Sequence, residues 1–428
     1  MTHRAVFLVD GARTPFLKVR GKRGPFTPVD LAVQCGRPLL ARQPFAADAF
    51  DMVILGCVNV ITDEMNPARV AALRLGMGDA MVAFTVQINC GSGMQSIDTA
   101  FRTIREGSGD LILAGGAEAL SHSPLVLRDD AVDWLSGMQR AAGPVAKVQH
   151  ALQVRPKHLK PVVGLERGLT DPITDLSMGQ TAELLAHHFG ITRTMADTYA
   201  VESHQRLAAA QRDGTLMHEV MPAFDLDGQV YRDDDGVRAE SSVDKLGGLK
   251  PVFERPYGQV TAGNASQVTD GASWCILASA EAVERHKLTP IARLVDSEWA
   301  ALDPSVMGLG PVMSATPLLS RHGYAIDDID LWEINEAFAA QVLACLAAWQ
   351  DEGFCRDVLG LDKPFGAIPR DRLNIHGGAI SLGHPVGTSG NRIVLHLANA
   401  MKAKGARRGV ATECIGGGQG GAMMLEAM

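Results

Sequence analysis

A helix followed by a strand, both punctuated by glycines, occurs twice in this sequence, once in its first third and once near its C-terminus. The first copy runs from Gly93 to Gly107, "GMQSIDTAFRTIREG", with apolar residues at helical spacing, and leads into the strand-like "DLILAGGAEAL". The second copy runs from Gly390 to Gly405, "GNRIVLHLANAMKAKG", and leads into "RRGVATECIGGG". This separation is far too long for a solenoid, so the recurrence predicts a duplicated α/β half-domain.

The composition is that of an ordinary globular protein with more than one subdomain. The 428 residues exceed the size at which a single hydrophobic core usually stops growing. The net charge of −8 argues against a general nucleic-acid binder. The apolar run near the N-terminus, "AVFLV", is too short for a signal peptide or a membrane span. We therefore expect a cytoplasmic protein.

The cysteines are scattered along the chain. They number seven, which is odd, and no two of them form a C-x-x-C pair. Such a set indicates neither a disulfide framework nor a zinc site, and it fits a reducing compartment.

Short apolar runs alternate with amphipathic stretches in the N-terminal part, which is typical of a layered α/β fold. The run "RAVFLVDGART" predicts a strand followed by a glycine turn, and "FDMVILGCV" predicts a second strand. The run "FTVQINC" predicts a third strand that ends at Cys90.

The chain between the two halves differs in residue pattern: it is rich in turn-forming and charged residues and contains stretches with helical spacing. Two helical stretches are "MGQTAELLAHHFG" and "TMADTYAVESHQRLAAAQRDG", and Thr192 is placed to cap the second. We therefore predict a mainly helical insertion. The predicted boundaries are an N-terminal half at 1–121 that is completed by about 250–290, the insertion at 122–249, and a C-terminal half at 291–428.

Four reactive or polar residues stand at the predicted ends of elements, three of them close to glycines: Cys90, Asn335, His384 and Cys414. Taken singly, each has a plain structural interpretation. A free cysteine is often a small buried hydrophobe, a loop histidine is usually solvated or structurally satisfied, and an asparagine often caps a helix. The common placement is what favours function, because side chains and backbone N–H groups are free at such ends.

The segments around these residues carry a family resemblance. The blocks "NCGSGMQS", "NEAFAAQ", "GGAISLGHPVGTSG" and "CIGGGQGGAM" resemble the four signature blocks of thiolases, in the same order, and the resemblance covers nearly the whole chain. It implies a layered αβαβα architecture of duplicated α/β halves, with the inserted loop domain contacting coenzyme A (CoA).

Two features are similar to one branch of thiolases, the β subunits of fatty-acid-oxidation trifunctional complexes. One is the long loop from about Trp134 to Asp175, and the other is the insert "AWQDEGFCRDVLGLDKPFGAIPRDRL". Two departures put a short-chain preference in doubt. Many thiolases have asparagine where this chain has His376, and short-chain enzymes have histidine where it has Ser177.

The activity that the resemblance implies is that of an acetyl-CoA C-acyltransferase, a 3-ketoacyl-CoA thiolase of fatty-acid β-oxidation. CoA cleaves 3-ketoacyl-CoA into acyl-CoA and acetyl-CoA through an acyl-cysteine. The implied roles are Cys90 as nucleophile and acyl carrier, His384 as base and oxyanion donor, Cys414 as proton donor and acceptor, Asn335 as holder of an oxyanion-hole water, and the Gly416 backbone N–H as an oxyanion donor.

For CoA, the resemblance places Ala265 and Ser266 beside the pantetheine, and Met178, Met307 and Phe338 on its apolar wall. Plain core packing is an equally open interpretation of the last three. CoA is expected as a substrate, with no cofactor and no metal.

Three alternatives to thiolysis stay open in different degrees. The same groups run the biosynthetic Claisen condensation of two acetyl-CoA molecules. A ketoacyl-carrier-protein synthase is disfavoured, because it would have histidine in place of Asn335 and no counterpart of Cys414. A non-catalytic, lipid-binding thiolase-like protein is disfavoured because all four reactive positions are intact.

The stretch from Lys147 to Leu169 is basic within an acidic protein. It is either a solvated face or a surface that meets anions, namely CoA phosphates, an acidic partner or a membrane. The resemblance further implies a homodimer or homotetramer and a possible hydratase/dehydrogenase α subunit as a partner.

Overall fold

The computed structural model describes residues 4–428 and contains two halves with an insertion. The N-terminal half contains β1 (Val6–Arg13), β2 (Leu17–Lys18), α1 (Pro28–Ala41), β3 (Met52–Gly56), α2 (Pro67–Arg74), β4 (Val82–Val86), α3 (Ser92–Arg105) and β5 (Leu111–Ala119). The insertion contains β6 (Leu125–Val126), α4 (Asp129–Arg140), α5 (Gly143–Ala151), β7 (Val162–Val163), α6 (Gly164–Gly168), α7 (Met178–His188), α8 (Arg193–Arg212), β8 (Ala223–Phe224), β9 (Val230–Tyr231) and α9 (Val243–Gly247). The remainder contains β10 (Thr269–Ser279), α10 (Ala280–His286), β11 (Ala292–Ala301), α11 (Gly310–Arg321), β12 (Leu331–Ile334), α12 (Ala339–Ala348), α13 (Glu352–Asp357), α14 (Ala379–Leu382), α15 (Val386–Lys404), β13 (Arg408–Ile415) and β14 (Gln419–Ala427).

The strand order repeats in the two halves. In the first half β3 pairs in parallel with β5, and β5, β10 and β1 follow as antiparallel neighbours. In the second half β12 pairs in parallel with β13, and β13, β14 and β11 follow in the same way. A short antiparallel pairing of β1 with β11 joins the halves into one sheet. The predicted duplication is therefore confirmed.

A pair of aspartates marks equivalent points of the two halves. The Asp51 Oδ2 atom accepts hydrogen bonds from the backbone N–H groups of Asp110 and Leu111, at 2.6 and 2.9 Å. Asp330 Oδ2 accepts in the same way from Arg407 and Arg408, at 2.7 and 2.9 Å. Each carboxylate stands just before the first parallel strand of its half and holds the start of the second.

The two long helices α3 and α15 form the central layer, and glycines let them touch. A Cβ on Gly93 would lie 2.6 Å from the backbone nitrogen of Asn391, and one on Gly390 would lie 2.6 Å from that of Met94. No side chain fits at either position, so the helices cross backbone to backbone. The glycines seen in the sequence are thus the contact between the duplicated halves.

Apolar clusters lie on both sides of this central layer. One cluster joins α3 and α15 to the inner faces of the strands, and two others bury the outer faces under α1 and α2 or under α11 and α12. The result is the predicted αβαβα layering. In the insertion, α7 and α8 pack on the C-terminal half, whereas α4 to α6 bury almost nothing.

No helix within residues 4–428 is long and apolar enough to cross a membrane. The domain boundaries at 121, 249 and 291 stay a prediction.

Three expectations about element ends are wrong. Strand β1 continues through Gly11 to Arg13, because the glycine lets Leu395 pack on the strand where a turn was expected. The third predicted strand, β4, ends at Val86 and not at Cys90. The helix predicted from Gly390 begins at Val386. The predicted cap of α8 is confirmed, since the Thr192 side chain accepts a hydrogen bond from the Met195 N–H.

Candidate active site

Cys90 lies in a tight turn between β4 and α3. Helix α3 begins at Ser92, and Ser92 Oγ accepts a hydrogen bond from the Ile88 N–H at 2.9 Å while donating to the Asn89 carbonyl at 2.7 Å. Asn89 has a left-handed backbone, with φ 46°. These bonds turn the chain so that the half-buried Cys90 thiol precedes the first turn of α3.

Cys414 lies at the end of β13, where the chain turns into β14. Gly417 and Gly418 in this turn have φ values of 93° and 78°, which favour glycine. The Asn89 side chain donates a 2.8 Å hydrogen bond from Nδ2 to the Gly416 carbonyl. This bond ties the Cys90 turn of one half to the Cys414 turn of the other.

His384 enters from the segment before α15 and is oriented on two sides. Its backbone N–H donates to the Gln267 carbonyl at 2.9 Å, and its Nδ1 lies 2.6 Å from Ser389 Oγ. The Nε2 atom is buried and has no hydrogen-bond partner within the described residues. Burial lowers the pKa of His384 to about 4, so the imidazole is neutral at pH 7 and Nε2 is free to accept a proton.

Asn335 follows β12 and is fully buried. Neither its Oδ1 nor its Nδ2 has a partner within residues 4–428, although buried amides normally have one. It does not cap α12, whose N-cap residue is Phe338. An unsatisfied buried amide beside a reactive cavity suits the holding of a water molecule.

The main cavity, as we call it, has a volume of about 380 Å³ and is lined by eight of the ten predicted residues. These are Cys90, Met178, Ala265, Ser266, Met307, Phe338, His384 and Cys414. Gly416 lines an adjoining cavity that also reaches Cys90, and Asn335 lines neither. Met178, Met307 and Phe338 also pack together in one apolar cluster with Cys414, so they are part of the core, and their contact with CoA stays a prediction.

The two thiols are protonated in the resting protein. Burial raises the pKa of Cys90 to about 12, although the Gly416 backbone N–H acts in the opposite direction. Burial also raises the pKa of Cys414 well above its usual value, and the charge of a Cys90 thiolate would raise it further. A helix N-terminus favours a thiolate, but at Cys90 burial outweighs that effect.

Two positioning residues were missed from the sequence. Asn89 and Ser389 both lie inside motifs that were singled out, next to Cys90 and five residues after His384. The asparagine before the Cys-Gly turn was a usable signal, since asparagine tolerates a left-handed backbone. The hydroxyl of Ser389 carried none, because only the helical turn at the start of α15 aims it at His384.

Within residues 4–428, no three or more His, Cys, Asp or Glu side chains form a cluster suited to a metal ion.

Fold and site together define a class of protein. The Thiolase, N-terminal domain family matches residues 6–281, and the Thiolase, C-terminal domain family matches residues 288–427. The chain belongs to the thiolase family.

The similar proteins include thiolases that are named for two kinds of substrate. The chain is 38% identical to a beta-ketoadipyl-CoA thiolase of Pseudomonas aeruginosa, with 99% of each chain covered. It is 36% identical to the mitochondrial 3-ketoacyl-CoA thiolase of Rattus norvegicus, covering 99% of this chain and 98% of that one. Its structure is similar to that of human mitochondrial 3-ketoacyl-CoA thiolase in complex with CoA, with a TM-score of 0.85, 35% identity, and 99% and 98% coverage.

Proposed function

We propose that this protein is an acetyl-CoA C-acyltransferase that cleaves 3-ketoacyl-CoA with CoA, giving acyl-CoA and acetyl-CoA. The observation that carries the proposal is the main cavity, where two thiols meet an imidazole that is neutral and unpaired at Nε2. The relatives named as 3-ketoacyl-CoA thiolases, and the one in complex with CoA, support this substrate. No further cofactor is needed for the steps below.

The first step forms a carbon–sulfur bond. His384 Nε2 takes the Cys90 proton while the sulfur attacks the keto carbon, whose oxygen becomes an oxyanion. The resting thiol has a high pKa and the imidazole a low one, so a free thiolate–imidazolium pair is unfavourable. Proton transfer therefore accompanies attack, because the negative charge then passes to the keto oxygen.

The second step breaks the carbon–carbon bond. The tetrahedral oxyanion collapses to a Cys90 thioester, and the electron pair of the bond leaves on the α-carbon as the enolate of acetyl-CoA. Cys414 gives that carbon its thiol proton and acetyl-CoA departs. Because burial keeps Cys414 protonated, the proton is present when the enolate forms.

The third step returns the enzyme to its resting state. The Cys414 thiolate takes the proton of an incoming CoA thiol, and the CoA sulfur attacks the acyl thioester on Cys90. Acyl-CoA leaves, and the Cys90 sulfur recovers its proton from the His384 imidazolium. Each protein group has regained a proton in place of the one that it gave: the Cys90 proton has returned from His384, and the CoA thiol proton has replaced the Cys414 proton that left with acetyl-CoA.

Two sets of donors stabilise the charges in this proposal. The backbone N–H groups of Cys90 and Gly416 face the tetrahedral oxyanion, and the Asn89 bond to the Gly416 carbonyl supports that orientation. His384 and a water held by Asn335 face the thioester oxygen of the enolate. The loss of one such donor costs about 3–4 kcal/mol of transition-state stabilisation.

Acylation mapping tests the proposal. After incubation with acetyl-CoA, peptide mass mapping should find the acetyl group on Cys90. The variant Cys414→Ala should still be acetylated there but should not exchange the α-protons of acetyl-CoA with deuterium from the solvent. Label on Cys414, or normal exchange in the variant, would contradict the assignment of the two thiols.

The basic segment Lys147–Leu169 is proposed as a contact with an anionic membrane surface. Leu152 and Leu159 are 79% and 71% exposed, and Val148 is exposed as well. Lys157 pairs with Asp130 at 2.7 Å, whereas the other cations of the segment make no ion pair within residues 4–428. Exposed apolar side chains beside free cations suit such a surface, where each cation contributes about 1 kcal/mol.

Vesicle binding tests this contact. Arg155→Glu with Lys160→Glu should release the protein from vesicles that contain anionic lipid, most clearly at low salt, and should not change binding to neutral ones. Lys22→Glu with Arg23→Glu makes the same charge change outside the segment and should have no effect. Equal binding by both double variants, or loss of a hydratase/dehydrogenase subunit on purification instead, would contradict a membrane contact.

We further propose a homodimer in the cytoplasm. Strand β4 ends the sheet and, within residues 4–428, pairs with β3 alone, so its other edge is open to a second copy. All seven cysteines are free, which suits a reducing compartment. Light scattering in solution gives the mass: a monomer would contradict the proposal, and a tetramer would mean that dimers pair again.

A further inference from the structure

A second cavity of about 210 Å³, which we call the side cavity, also reaches Cys90. It shares with the main cavity the wall of Cys90, Leu120, Leu169, Thr170, Met178 and Val386. His384 and Cys414 line the main cavity alone. In the proposed function these two groups act on the acetyl-CoA end of the substrate, which leaves the side cavity as a space for the acyl chain beyond the keto carbon.

The side cavity is apolar or neutral over most of its lining. Its apolar side chains are Val58, Leu120, Leu165, Leu169, Pro172, Met178 and Val386. Its neutral polar side chains are Asn59, Asn89, Ser123 and Thr170. Within the described chain, no Lys, Arg or His lines it, and Asp171 is the single carboxylate that does.

Asp171 is a fixed negative charge. It is 3% exposed, and its Oδ1 accepts hydrogen bonds from the backbone N–H groups of Thr174 and Ile173, both at 2.9 Å. The Thr174 bond lowers the pKa of Asp171, so it is ionised at neutral pH. The charge that opposes this shift, Asp303, is another acid, and the described residues that line the side cavity include no cation.

We propose that the side cavity takes an uncharged acyl chain, and that Asp171 is the residue that disfavours a chain ending in a carboxylate. A terminal carboxylate there would be desolvated without a cation and would meet the like charge of Asp171. This inference rests on the proposed function and separates the two kinds of relative, because a ketoadipyl group ends in a carboxylate.

A matched pair of substrates tests it. The six-carbon 3-oxohexanoyl-CoA and 3-oxoadipyl-CoA differ in a terminal methyl group against a carboxylate. We expect kcat/KM for thiolysis to favour the neutral substrate by about 100-fold, since a buried unpaired charge is costly. Equal rates, or a preference for the dicarboxylate, would overturn the inference.

Two variants and one control test whether the charge of Asp171 causes this substrate preference. Asp171→Asn keeps the oxygen that accepts from Thr174 and Ile173 but removes the charge, so the preference should fall by about tenfold. Asp175→Asn removes an exposed charge from the same loop and should leave the preference unchanged. Leu165→Lys, which puts a cation on the wall of the side cavity alone, should raise kcat/KM for 3-oxoadipyl-CoA.

The outcomes separate this inference from the proposed function. An enzyme that cleaves neither substrate refutes both, whereas an active enzyme that prefers the dicarboxylate refutes only the inference. An unchanged preference in Asp171→Asn and Leu165→Lys, with thermal unfolding as in the parent, would refute the part assigned to Asp171.

Discussion

The N-terminal half supplies one reactive side chain to the main cavity, Cys90, whereas the C-terminal half supplies His384 and Cys414 and sets Asn335 close behind. The two halves nevertheless share strand order and central helices. Asp51 and Asp330 hold equivalent positions, so they align the sequence of one half with that of the other. Counted from these aspartates, Asn335 in the second half is equivalent to Gly56 in the first.

The same comparison can be made on the central helices. Gly93 and Gly390 are equivalent at the helix crossing, so Cys90 is equivalent to Gly387. In both pairs a predicted functional side chain in one half corresponds to a glycine in the other. A Cβ on Gly56 would lie 2.5 Å from the Ser92 carbonyl carbon, so this glycine lets the turn that carries Cys90 approach β3.

The difference teaches how one site arises from two similar halves. At these two pairs of equivalent positions one half has a reactive or polar side chain, and the other half has a glycine that lets the backbone pack closely. Four pairs of variants test the site and its surroundings, from the largest expected effect to the smallest.

The largest effect is expected for Cys90→Ala. Without the nucleophile no acyl-cysteine forms, and kcat for thiolysis should fall by about 10⁴-fold or more. Cys355→Ala is the matched control, because that thiol is buried in the outer part of the C-terminal half. Its kcat should stay within about twofold of the parent. Stopped-flow assays of both variants provide the test, and an inactive Cys355→Ala beside an active Cys90→Ala would contradict the role assigned to Cys90.

The equivalent pair Asn335 and Gly56 should separate activity from stability. Asn335→Ala should lower kcat by about 10²–10³-fold, as for the loss of one oxyanion donor, without lowering the free energy of unfolding. The reason is that its amide has no protein partner to lose. Gly56→Ala should instead lower the free energy of unfolding by about 3 kcal/mol. Urea unfolding and kcat should be measured for both variants. A lower free energy of unfolding in Asn335→Ala would contradict the prediction that its amide has no protein partner.

The serines Ser389 and Ser92 hold equivalent positions in α15 and α3, and they give a smaller contrast. Ser389→Ala frees the His384 ring and should lower kcat by about 10–100-fold with little change in stability. Ser92→Ala leaves the Ile88 N–H without its acceptor and should cost about 1–3 kcal/mol of unfolding free energy. If Ser389→Ala behaves like the parent, the 2.6 Å contact does not orient the histidine.

Glu413 should give the smallest effect, and one that concerns stability. Neither carboxylate oxygen has a partner in the described residues, and burial raises its pKa well above the usual value. The folded state then holds a proton that the unfolded state releases above about pH 4.5, so this group lowers stability increasingly as pH rises above that point.

The variant Glu413→Met keeps the shape and removes the orphaned carboxyl. It should raise the free energy of unfolding by about 1–3 kcal/mol at pH 8 and by less at pH 5. Glu333→Met is the contrast, since it breaks the buried 3.0 Å pair with Arg392 and should destabilise by about 3–5 kcal/mol. A gain for Glu413→Met that does not grow with pH would contradict the titration.

Much of the fold followed from pattern. The glycine-bounded helices predicted the duplication, and the family resemblance implied the layers. The structure adds that these glycines permit backbone contact where the central helices cross. The ends of β1 and β4 were wrong for a related reason. The glycine at position 11 serves packing against Leu395 and not a turn, and one sequence does not distinguish these two uses.

The residues that line the main cavity could be predicted from the sequence, whereas the pKa values of their side chains could not. Cys90, His384 and Cys414 are recognisable because short-range motifs surround them, and the structure places them on one cavity. The raised pKa of Cys90 was not foreseeable, because the burial that causes it is contributed by segments far away in the chain.

The sequence by itself determined the elements, the duplication and the reactive residue types, since helical spacing, glycines and motifs are local properties of the chain. Only the tertiary structure decided which groups share a cavity, which amide stays without a partner and which carboxylate stands in the side cavity. Those properties depend on burial and on distances between residues hundreds of positions apart, such as Asn89 and Gly416, and packing alone sets them.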